Sequence, residues 1–221
     1  MKKKKNRRDE FLNLVPQGVK KILDVGCADG VLGAKLKETD VIEVCGIERN
    51  KELYELAKDK LNQVFLADVE NFNLPYPEGY FDCILYADIL EHLIDPLSTL
   101  KNHAKYLKTN GYIIASIPNV RYYKLIIRLL FAGSWDYVDG GILDRTHLRF
   151  FTLLNLKELF TKAGFKIINI KRNIIAARGF SFLNIICFNR LKNLLTYQFY
   201  IVAMKSQNPI VLLNKRKVYQ F

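Results

Sequence analysis

The sequence has few of the features that mark fibrous, disulfide-linked or membrane-spanning proteins. Its 221 residues include only 6 prolines and 12 glycines, which excludes a collagen-like or proline-rich chain. The four cysteines are Cys27, Cys45, Cys83 and Cys187. No two of them have C-x-x-C spacing, so we expect buried thiols in a reducing cytoplasm and neither a zinc site nor a redox motif. No run reaches the ~20 apolar residues that a spanning helix needs, and the stretch after the basic N-terminus is too interrupted for a signal peptide.

Basic residues are in excess, but they are concentrated at the two ends of the chain. The formal net charge is +12, with six basic residues among the first eight positions and three more at 215–217. The body between these ends is close to neutral. Because a nucleic-acid-binding domain needs a basic face on the fold itself, the charge distribution argues against nucleic acid as a partner.

In the first half of the chain, short apolar runs alternate with helical patterns. Apolar runs begin near residues 21, 44, 64, 81 and 112, which predicts a parallel sheet covered by helices. Pro96 suits the first turn of a helix. We expect that helix to continue through Leu107 to a stop at Asn110-Gly111, with His103 on its solvated face.

The second half is less regular, and its pattern predicts a helix over 120–131, a helix capped by Thr152, and strands over 165–170 and 197–204. An inserted helix is predicted over about 180–195, so the last strand could form an antiparallel edge. The predicted fold class is therefore α/β with a doubly wound sheet. The predicted divisions are a basic N-terminal segment over 1–18, one domain over 19–205 and a basic tail over 206–221.

Three successive strand ends carry residues that suit a nucleoside. The turn after the first strand reads Asp24-Val25-Gly26-Cys27-Ala28-Asp29-Gly30, and its small residues let the backbone approach a ligand closely. The dinucleotide fingerprint G-x-G-x-x-G would need glycines at 28 and 31, so a pyrophosphate cradle is disfavoured. Glu48 ends the second strand, where a carboxylate can accept hydrogen bonds from ribose hydroxyls. Asp68 ends the third strand, where it can accept one from an adenine amino group.

These motifs, with the strand over 81–86, resemble the class I S-adenosylmethionine-dependent methyltransferases. The resemblance covers about residues 20–205. It implies a Rossmann-like sheet of seven strands, mostly parallel with an antiparallel last strand, which binds S-adenosylmethionine and releases S-adenosylhomocysteine. The cofactor-binding residues that it implies are Asp24, Gly26, Cys27, Ala28, Gly30, Glu48, Arg49, Asp68, Val69, Tyr86 and Ala87. Of these, the three small residues of the turn would face the methionine part, and Tyr86 and Ala87 would close the pocket.

A narrower resemblance, carried by 116–122 and 143–152, is to methyltransferases of bacterial and archaeal surface-glycan pathways and to MetW-like proteins. It implies that the segment over about 118–151 forms the acceptor wall. His147 is the candidate general base for a hydroxyl, with His92 second. The candidate acceptor-binding residues are Asp88, Glu91, Asn119, Asp144, Arg145 and Arg149. Either of the two arginines could hold an acidic sugar or a phosphate.

Four of these residues, Asp88, Glu91, His92 and His147, could instead bind a divalent metal, as in some related O-methyltransferases. We expect no metal here, because Asp88 is shorter than the glutamate usual at that position. The alternative role of Glu91 and His92 is to order the loop over the cofactor.

The sequence thus predicts a cytoplasmic methyltransferase that modifies an oxygen of a sugar, a glycan precursor or another small metabolite. Two alternatives stay open: a MetW-like regulatory partner that binds another enzyme, and an RNA end methyltransferase. The chain has no Asn/Asp-Pro-Pro-aromatic tetrapeptide and no Pro-Cys pair, which argues against methylation of DNA bases. The helix over 120–131 has three basic residues on one side, so it could cover the active site or lie peripherally on an anionic membrane that presents a lipid-linked sugar.

Overall fold

Seven strands form one sheet in the order β3-β2-β1-β4-β5-β7-β6. The computed structural model describes residues 7–175 and 191–206. The strands are β1 (Lys21–Val25), β2 (Glu43–Glu48), β3 (Gln63–Leu66), β4 (Phe81–Ala87), β5 (Leu107–Pro118), β6 (Phe165–Ile174) and β7 (Thr196–Lys205). Strands β1 to β5 pair in parallel, whereas β7 runs antiparallel to both β5 and β6. The predicted fold class and the antiparallel last strand are confirmed.

Helices cover both faces of this sheet. They are α1 (Val31–Lys37), α2 (Lys51–Lys58), α3 (Pro96–Ala104), α4 (Tyr123–Ala132), α5 (Leu153–Lys162) and α6 (Lys192–Leu195), with 3-10 helices at Arg7–Asn13 and Leu90–His92. One apolar cluster packs α3 and α5 on the first face, and a second cluster packs α1 and α2 on the other. Because the central strands are buried on both faces, they are apolar without alternation, as parallel strands commonly are.

The starts of three helices follow from their capping residues. The side chain of Asn50 accepts a hydrogen bond from Leu53 N at the start of α2. Asp95 does the same for Ser98 N ahead of Pro96, which occupies the first turn of α3. Thr152 and Asn155 form a reciprocal capping box on α5. The predicted helix starts at Pro96 and after Thr152 are confirmed.

The prediction that this helix continues over residues 105–111 is wrong. Helix α3 ends at Ala104, and Leu107 belongs to β5, where it pairs with Phe81 of β4. Asn110 takes a left-handed conformation with φ of 63°, so the chain turns within the strand rather than at the end of a helix. Burial of Leu107 against the sheet outweighs its helical spacing, because propensity is weaker than tertiary packing.

The second half of the chain differs from the prediction in two ways. The antiparallel strand β7 lies between β5 and β6, so the edge of the sheet is formed by β6. Helix α4 begins at Tyr123 rather than at residue 120. The reason is a turn at Asn119, whose backbone oxygen accepts a hydrogen bond from Tyr122 N and whose side-chain oxygen accepts one from Arg121 N. Most of the helix predicted over 180–195, and Cys187, lie outside the described residues.

The described part of the N-terminal segment packs on the domain. Phe11 is buried, and its ring meets that of Tyr200 in β7 edge to face at 6.0 Å between centroids. Cys27, Cys45 and Cys83 are buried and form no disulfide among the described residues, as predicted. Within 7–175 and 191–206, no helix combines the length and the apolar character needed to cross a membrane.

Candidate active site

A cavity of about 290 Å³ lies at the carboxyl ends of β1, β2, β3 and β4. The loops that follow these four strands supply nearly all of its wall, as expected for ligand sites in open α/β sheets. Eight of the predicted site residues line it: Gly26, Ala28, Glu48, Arg49, Asp68, Val69, Asp88 and His92. The sequence therefore identified the position of the cavity and half of its lining.

The backbone amides of the turn after β1 are already engaged within the protein. Those of Gly26 and Cys27 donate to the carbonyl oxygen of Ile47 at 2.8 and 3.1 Å. The amide of Ala28 donates to Glu48 Oε2 at 2.9 Å, and that of Gly30 to Cys27 O at 3.0 Å. A phosphate cradle needs such amides to point at the ligand. This turn is therefore not built for a pyrophosphate, in agreement with the sequence.

Glu48 is fixed at the end of β2 with its carboxylate at the cavity. The residue is 8% exposed, and its two oxygens accept hydrogen bonds from Ala28 N at 2.9 Å and Asn50 N at 2.8 Å. Each carboxylate oxygen has a second lone pair. Glu48 can therefore shape the turn after β1 and still accept hydrogen bonds from the hydroxyls of a ligand.

Asp68 provides a second carboxylate after β3. It is exposed on the cavity wall, and its Oδ1 accepts from Glu70 N at 3.0 Å. The two carboxylates and the apolar side chains of Ile47, Val69 and Leu93 share one cavity. Such a wall suits a ligand with hydroxyl and amino donors attached to a flat apolar ring.

The backbone conformation favours glycine at position 26. Gly26 has a φ of 66°, and a Cβ added there would lie 2.1 Å from Cδ1 of Ile89. Ala28 and Asp88, which also line the cavity, adopt left-handed conformations with φ of 50° and 59°. Left-handed backbone at residues other than glycine is uncommon and tends to cluster at functional sites.

Five predicted cofactor residues lie behind the cavity and do not line it. Asp24 and Ala87 are buried in their strands, Cys27 packs against Gly46, and Gly30 against Ala57. Tyr86 is buried in the apolar cluster beneath α3, where its Oη is 2.7 Å from Nδ1 of His103. These residues support the turn and the strands from behind.

His103 itself corrects a prediction. We expected it on a solvated helix face, but it is 1% exposed and hydrogen-bonded to Tyr86. Burial lowers the pKa of His103 to about 4, with a smaller effect from Lys105. Leu100, Tyr106 and Leu107 lie three or four positions from His103 and are buried too, so His103 lies among apolar side chains.

The two candidate bases come together beside the cavity. The rings of His92 and His147 meet edge to face at 4.7 Å between centroids. His92 Nδ1 is 3.1 Å from Thr146 O, and His147 Nδ1 is 2.9 Å from Ile142 O. Because a carbonyl oxygen can only accept, each Nδ1 carries the proton in the neutral ring, and each Nε2 keeps a lone pair. Burial lowers the pKa of His92.

Glu91 lies next to this pair and is 1% exposed. Burial raises the pKa of Glu91 well above its ordinary value, and the nearby charge of Asp88 adds to the effect. Its backbone oxygen accepts from the amides of Leu148 and Arg149 at 2.9 and 3.0 Å. These two bonds attach the acceptor-side loop to the 3-10 helix that follows β4.

Two predicted acceptor-binding residues, Asp88 and Asn119, are held by hydrogen bonds to β7 or to the residues just before it. Asp88 Oδ1 accepts hydrogen bonds from Ser116 Oγ at 2.7 Å and from Gln198 Nε2 in β7. Asn119 is buried, and its Nδ2 donates to the carbonyl oxygens of Asn193 and Thr196. Asp88 lines the cavity, whereas Asn119 does not.

The remaining acceptor candidates bond within the protein and do not line the cavity. Arg145 Nε donates to Asp139 at 3.0 Å, and Arg149 donates to the carbonyl oxygen of Ile94. Asp144 accepts from the hydroxyl and the amide of Thr146, and these bonds lower the pKa of Asp144. Their role in binding an acceptor stays a prediction.

Sequence reasoning missed seven lining residues: Ile47, Leu53, Ala67, Glu70, Ile89, Leu93 and Thr146. Most are apolar, and nothing in their spacing distinguishes a cavity wall from a core. Glu70 accepts from the amides of Ile94 and Asp95 at 3.0 and 2.7 Å, which ties the loop after β3 to the start of α3. Thr146 lies within the motif 143–152 that the sequence had already singled out.

Residues 3–170 match a family model described as a methyltransferase domain. Among curated relatives, the ubiquinone biosynthesis O-methyltransferase of Proteus mirabilis is 34% identical over 106 residues, which cover 45% of this chain and 42% of the relative. The enzyme of the same name from Thiobacillus denitrificans is 31% identical over 138 residues, covering 55% and 58%. The chain thus spans about half the length of the curated relatives it matches.

Solved structures resemble the chain over most of its length. A SAM-dependent methyltransferase from Archaeoglobus fulgidus superposes with a TM-score of 0.66 at 19% identity, covering 90% of this chain and 92% of that one. The [4+2]-cyclase SpnF gives 0.65 at 19% identity, covering 90% and 81%. At such identities the likeness shows the fold alone, and one fold can support different reactions.

Proposed function

Since the chain belongs to the S-adenosylmethionine-dependent methyltransferase family, whose domain model matches residues 3–170, we propose that it transfers a methyl group from that cofactor to a hydroxyl oxygen of a small-molecule acceptor. The family match confirms the enzyme class and the cofactor expected from the sequence. The names of the curated relatives support oxygen as the acceptor atom. They do not point to a sugar, so the glycan-pathway and MetW-like subgroup stays a prediction.

The observation that carries this proposal is the pair of carboxylates in a cavity without phosphate-binding amides. Glu48 and Asp68 can accept hydrogen bonds from ribose hydroxyls and an adenine amino group, and apolar side chains beside them can pack on the purine ring. The amides of Gly26, Cys27, Ala28 and Gly30 donate within the protein, which argues against binding of a dinucleotide pyrophosphate. These residues fit an adenosyl group.

The bound cofactor supplies an electrophilic methyl group on a sulfonium. The protein's own contribution is alignment of the acceptor and removal of its proton. His92 lines the cavity, and the ring of His147 contacts that of His92. Each ring has an Nε2 lone pair that can take a hydroxyl proton. Ile89 and Leu93 form an apolar wall beside them that limits access of water.

We also propose that α4 binds an anionic membrane surface, from which a lipid-linked acceptor could reach the cavity. Leu130 and Phe131 are 72% and 81% exposed, and three further apolar side chains of α4 are about 40% exposed. Arg121 and Lys124 are exposed close by. An exposed apolar face with basic residues beside it is the pattern of an interfacial helix.

The cofactor part of the proposal is tested by calorimetry with S-adenosylhomocysteine. We expect the wild type to bind with a Kd of about 1–100 μM and Glu48→Ala to bind at least tenfold more weakly, a loss of about 1.4 kcal/mol or more. Glu55→Ala removes an exposed carboxylate of α2 that pairs with Lys58 and serves as the matched control. A wild-type protein that does not bind this ligand would contradict the proposal.

The acceptor part is tested with His147→Ala in a transfer assay that measures released S-adenosylhomocysteine. His147 does not line the cofactor cavity, so we expect the affinity for S-adenosylhomocysteine to stay within twofold while transfer falls at least tenfold. Full transfer by this variant would show that His147 is not needed. If the wild type binds the cofactor and transfers to no hydroxyl acceptor in an extract, the regulatory alternative is favoured.

A further inference from the structure

We propose that a second cavity, at the carboxyl end of β5, binds the phosphate group of a small ligand through Arg121 and Lys157. This cavity has a volume of about 250 Å³, and none of the described residues that line it also lines the cofactor cavity. It lies between the turn after β5, the first turns of α5 and the start of β7. Its polar lining residues are Asn119, Arg121, Thr152, Lys157 and Asn193.

The protein does not neutralise the two positive charges of this cavity. No acidic residue is among the described residues that line it. In the part of the chain that the structure describes, the side chains of Arg121 and Lys157 form no ion pair and no hydrogen bond. The stretches outside that part, 1–6, 176–190 and 207–221, contain no aspartate or glutamate, so they supply no carboxylate side chain either. An anionic ligand is therefore the partner that these charges lack.

Other basic residues of α5 and of the acceptor-side segment are paired within the protein. On α5, Lys162 pairs with Glu158 at 2.7 Å, so the carboxylate that adjoins Lys157 in sequence is already bound. After α4, Arg145 pairs with Asp139 at 3.0 Å. By contrast, the two cations of the second cavity face a space without a carboxylate, and they repel each other until an anion lies between them.

The side-chain groups that remain for a ligand are hydrogen-bond donors. Asn193 Oδ1 accepts from Arg172 Nε at 3.3 Å, which leaves Asn193 Nδ2 without a partner in the described chain. Asn119 uses its Nδ2 protons on two backbone carbonyl oxygens, and its Oδ1 holds the amide of Arg121 at 3.1 Å. The hydroxyl of Thr152 is used in the capping box of α5. The oxygens of an anion are the groups that match the remaining donors.

The charge, the walls and the size of the cavity indicate which anion it takes. A phosphate monoester carries a charge of about −1.5 to −2 near pH 7 and three acceptor oxygens, which matches two cations better than a carboxylate does. Leu153 and Leu154 add the first-turn amides of α5, which have no partner within the helix. With Phe199, their side chains form an apolar wall. A phosphate alone does not fill this volume, so we expect the ligand to carry a small apolar or aromatic group as well.

Binding is tested on the full-length protein with phenyl phosphate as the probe and phenol as its neutral control. Calorimetry at pH 7.5 and low ionic strength should show one phenyl phosphate per chain with a Kd of about 0.1–1 mM, and no saturable binding of phenol. Arg121→Gln and Lys157→Gln should each weaken binding at least fivefold. Lys124→Gln removes an exposed positive charge of α4 that does not line the cavity, so it should change the affinity by less than twofold.

Further measurements separate this cavity from the cofactor cavity. The affinity for phenyl phosphate should stay within twofold in Glu48→Ala and in the presence of saturating S-adenosylhomocysteine, and the thermal unfolding midpoint shows whether each variant is folded. No binding by the wild type, unchanged binding in both Arg121→Gln and Lys157→Gln, equal weakening by Lys124→Gln, or displacement by S-adenosylhomocysteine would each overturn the phosphate site. A protein that binds phenyl phosphate but not S-adenosylhomocysteine would support the site and contradict the proposed function.

Vesicles distinguish the two sources of such a phosphate. If vesicles that contain phosphatidic acid displace phenyl phosphate and phosphatidylcholine vesicles do not, the phosphate belongs to a lipid head group. If neither kind displaces it, the ligand is a soluble phosphate ester, and both results support the site. Equal displacement by both kinds of vesicle would show that the cavity does not recognise phosphate, and would overturn the proposal.

Discussion

The cofactor edge, formed by the loops after β1, β2 and β3, and the acceptor side, formed by the 3-10 helix Leu90–His92 and by 119–151, satisfy their polar groups in different ways. At the cofactor edge, the amides of Gly26 and Cys27 donate to the carbonyl oxygen of Ile47, and the amide of Ala28 donates to the carboxylate of Glu48. On the acceptor side, Glu91 is buried without a hydrogen-bond partner in the described chain, and α4 exposes its apolar residues.

This difference indicates where a further group is needed. Buried polar groups are normally hydrogen-bonded, and an exception calls for a ligand or a partner. At the cofactor edge, the carboxylate of Glu48 accepts hydrogen bonds from the amides of Ala28 and Asn50. The acceptor side leaves a buried carboxylate and an apolar surface, whose cost is explained if the acceptor and a membrane contact them.

The largest effect should come from comparing a left-handed glycine on each side. Gly26→Ala and Gly133→Ala both place a Cβ on left-handed backbone, at φ of 66° and 62°, which costs about 1–2 kcal/mol. Only at Gly26 does the Cβ meet another side chain, 2.1 Å from Ile89 Cδ1, so Ile89 must shift within the wall of the cavity. We expect Gly26→Ala to lose at least tenfold in affinity for S-adenosylhomocysteine, measured by calorimetry, and Gly133→Ala to keep it. An equal loss of affinity in both variants would contradict the prediction that only the turn after β1 binds the cofactor.

A substitution on the acceptor side should have the opposite sign. Burial raises the pKa of Glu91, so its charged form destabilises the fold near neutral pH. We expect Glu91→Gln to increase the free energy of unfolding by about 1–3 kcal/mol at pH 7.5 in metal-free buffer. Urea denaturation followed by circular dichroism measures the change. A decrease would mean that the carboxylate already has a stabilising partner.

The buried histidine beneath the cofactor edge predicts a pH dependence. His103 has a pKa of about 4 in the fold and an ordinary value of 6.5. The unfolded chain therefore takes up a proton first as the pH falls, and stability is lost between about pH 6.5 and 4. We expect about 2 kcal/mol less stability at pH 5 than at pH 7.5 from this residue. His103→Gln should flatten that slope in urea titrations. An unchanged slope in the variant would assign the loss to other groups.

The smallest effect on the fold should come from α4. Leu130 and Phe131 are largely exposed, so the double variant Leu130→Ser/Phe131→Ser should change the free energy of unfolding by less than about 0.5 kcal/mol. Its sedimentation with vesicles that contain phosphatidylglycerol should fall at least threefold. Neutral phosphatidylcholine vesicles are the control. If the wild type sediments equally with both kinds of vesicle, α4 is not an anionic-membrane surface.

The cofactor edge could be predicted from the sequence because strand ends are local features. Glu48 and Asp68 each follow a short apolar run, and the parallel sheet brings such ends to one side. The glycine turn is similarly visible as a break between a strand and a helix. Residues of this kind are recognised without knowing what lies opposite them.

The acceptor side could not be predicted to the same degree, because its residues meet through contacts distant in sequence. Glu91 and His147 are 56 positions apart, and the bonds of Leu148 and Arg149 to Glu91 that join their loops follow no periodic pattern. The prediction for His103 was wrong for a related reason, because from the sequence alone a polar residue in a helix is expected to be exposed. The sequence spacing of Leu107 is compatible with a helix, but in the structure it pairs with Phe81 of β4, a contact that the sequence does not show.

The position of β7 in the sheet has a consequence for biosynthesis. Strand β6 joins the sheet through β7, and Gln198 of β7 helps to fix Asp88 at the cavity. A nascent chain on the ribosome therefore cannot complete either the sheet or this wall until residues 196–205 have left the exit tunnel. The order of translation thus places completion of the pocket after the synthesis of β7, well after the four strands whose loops line it.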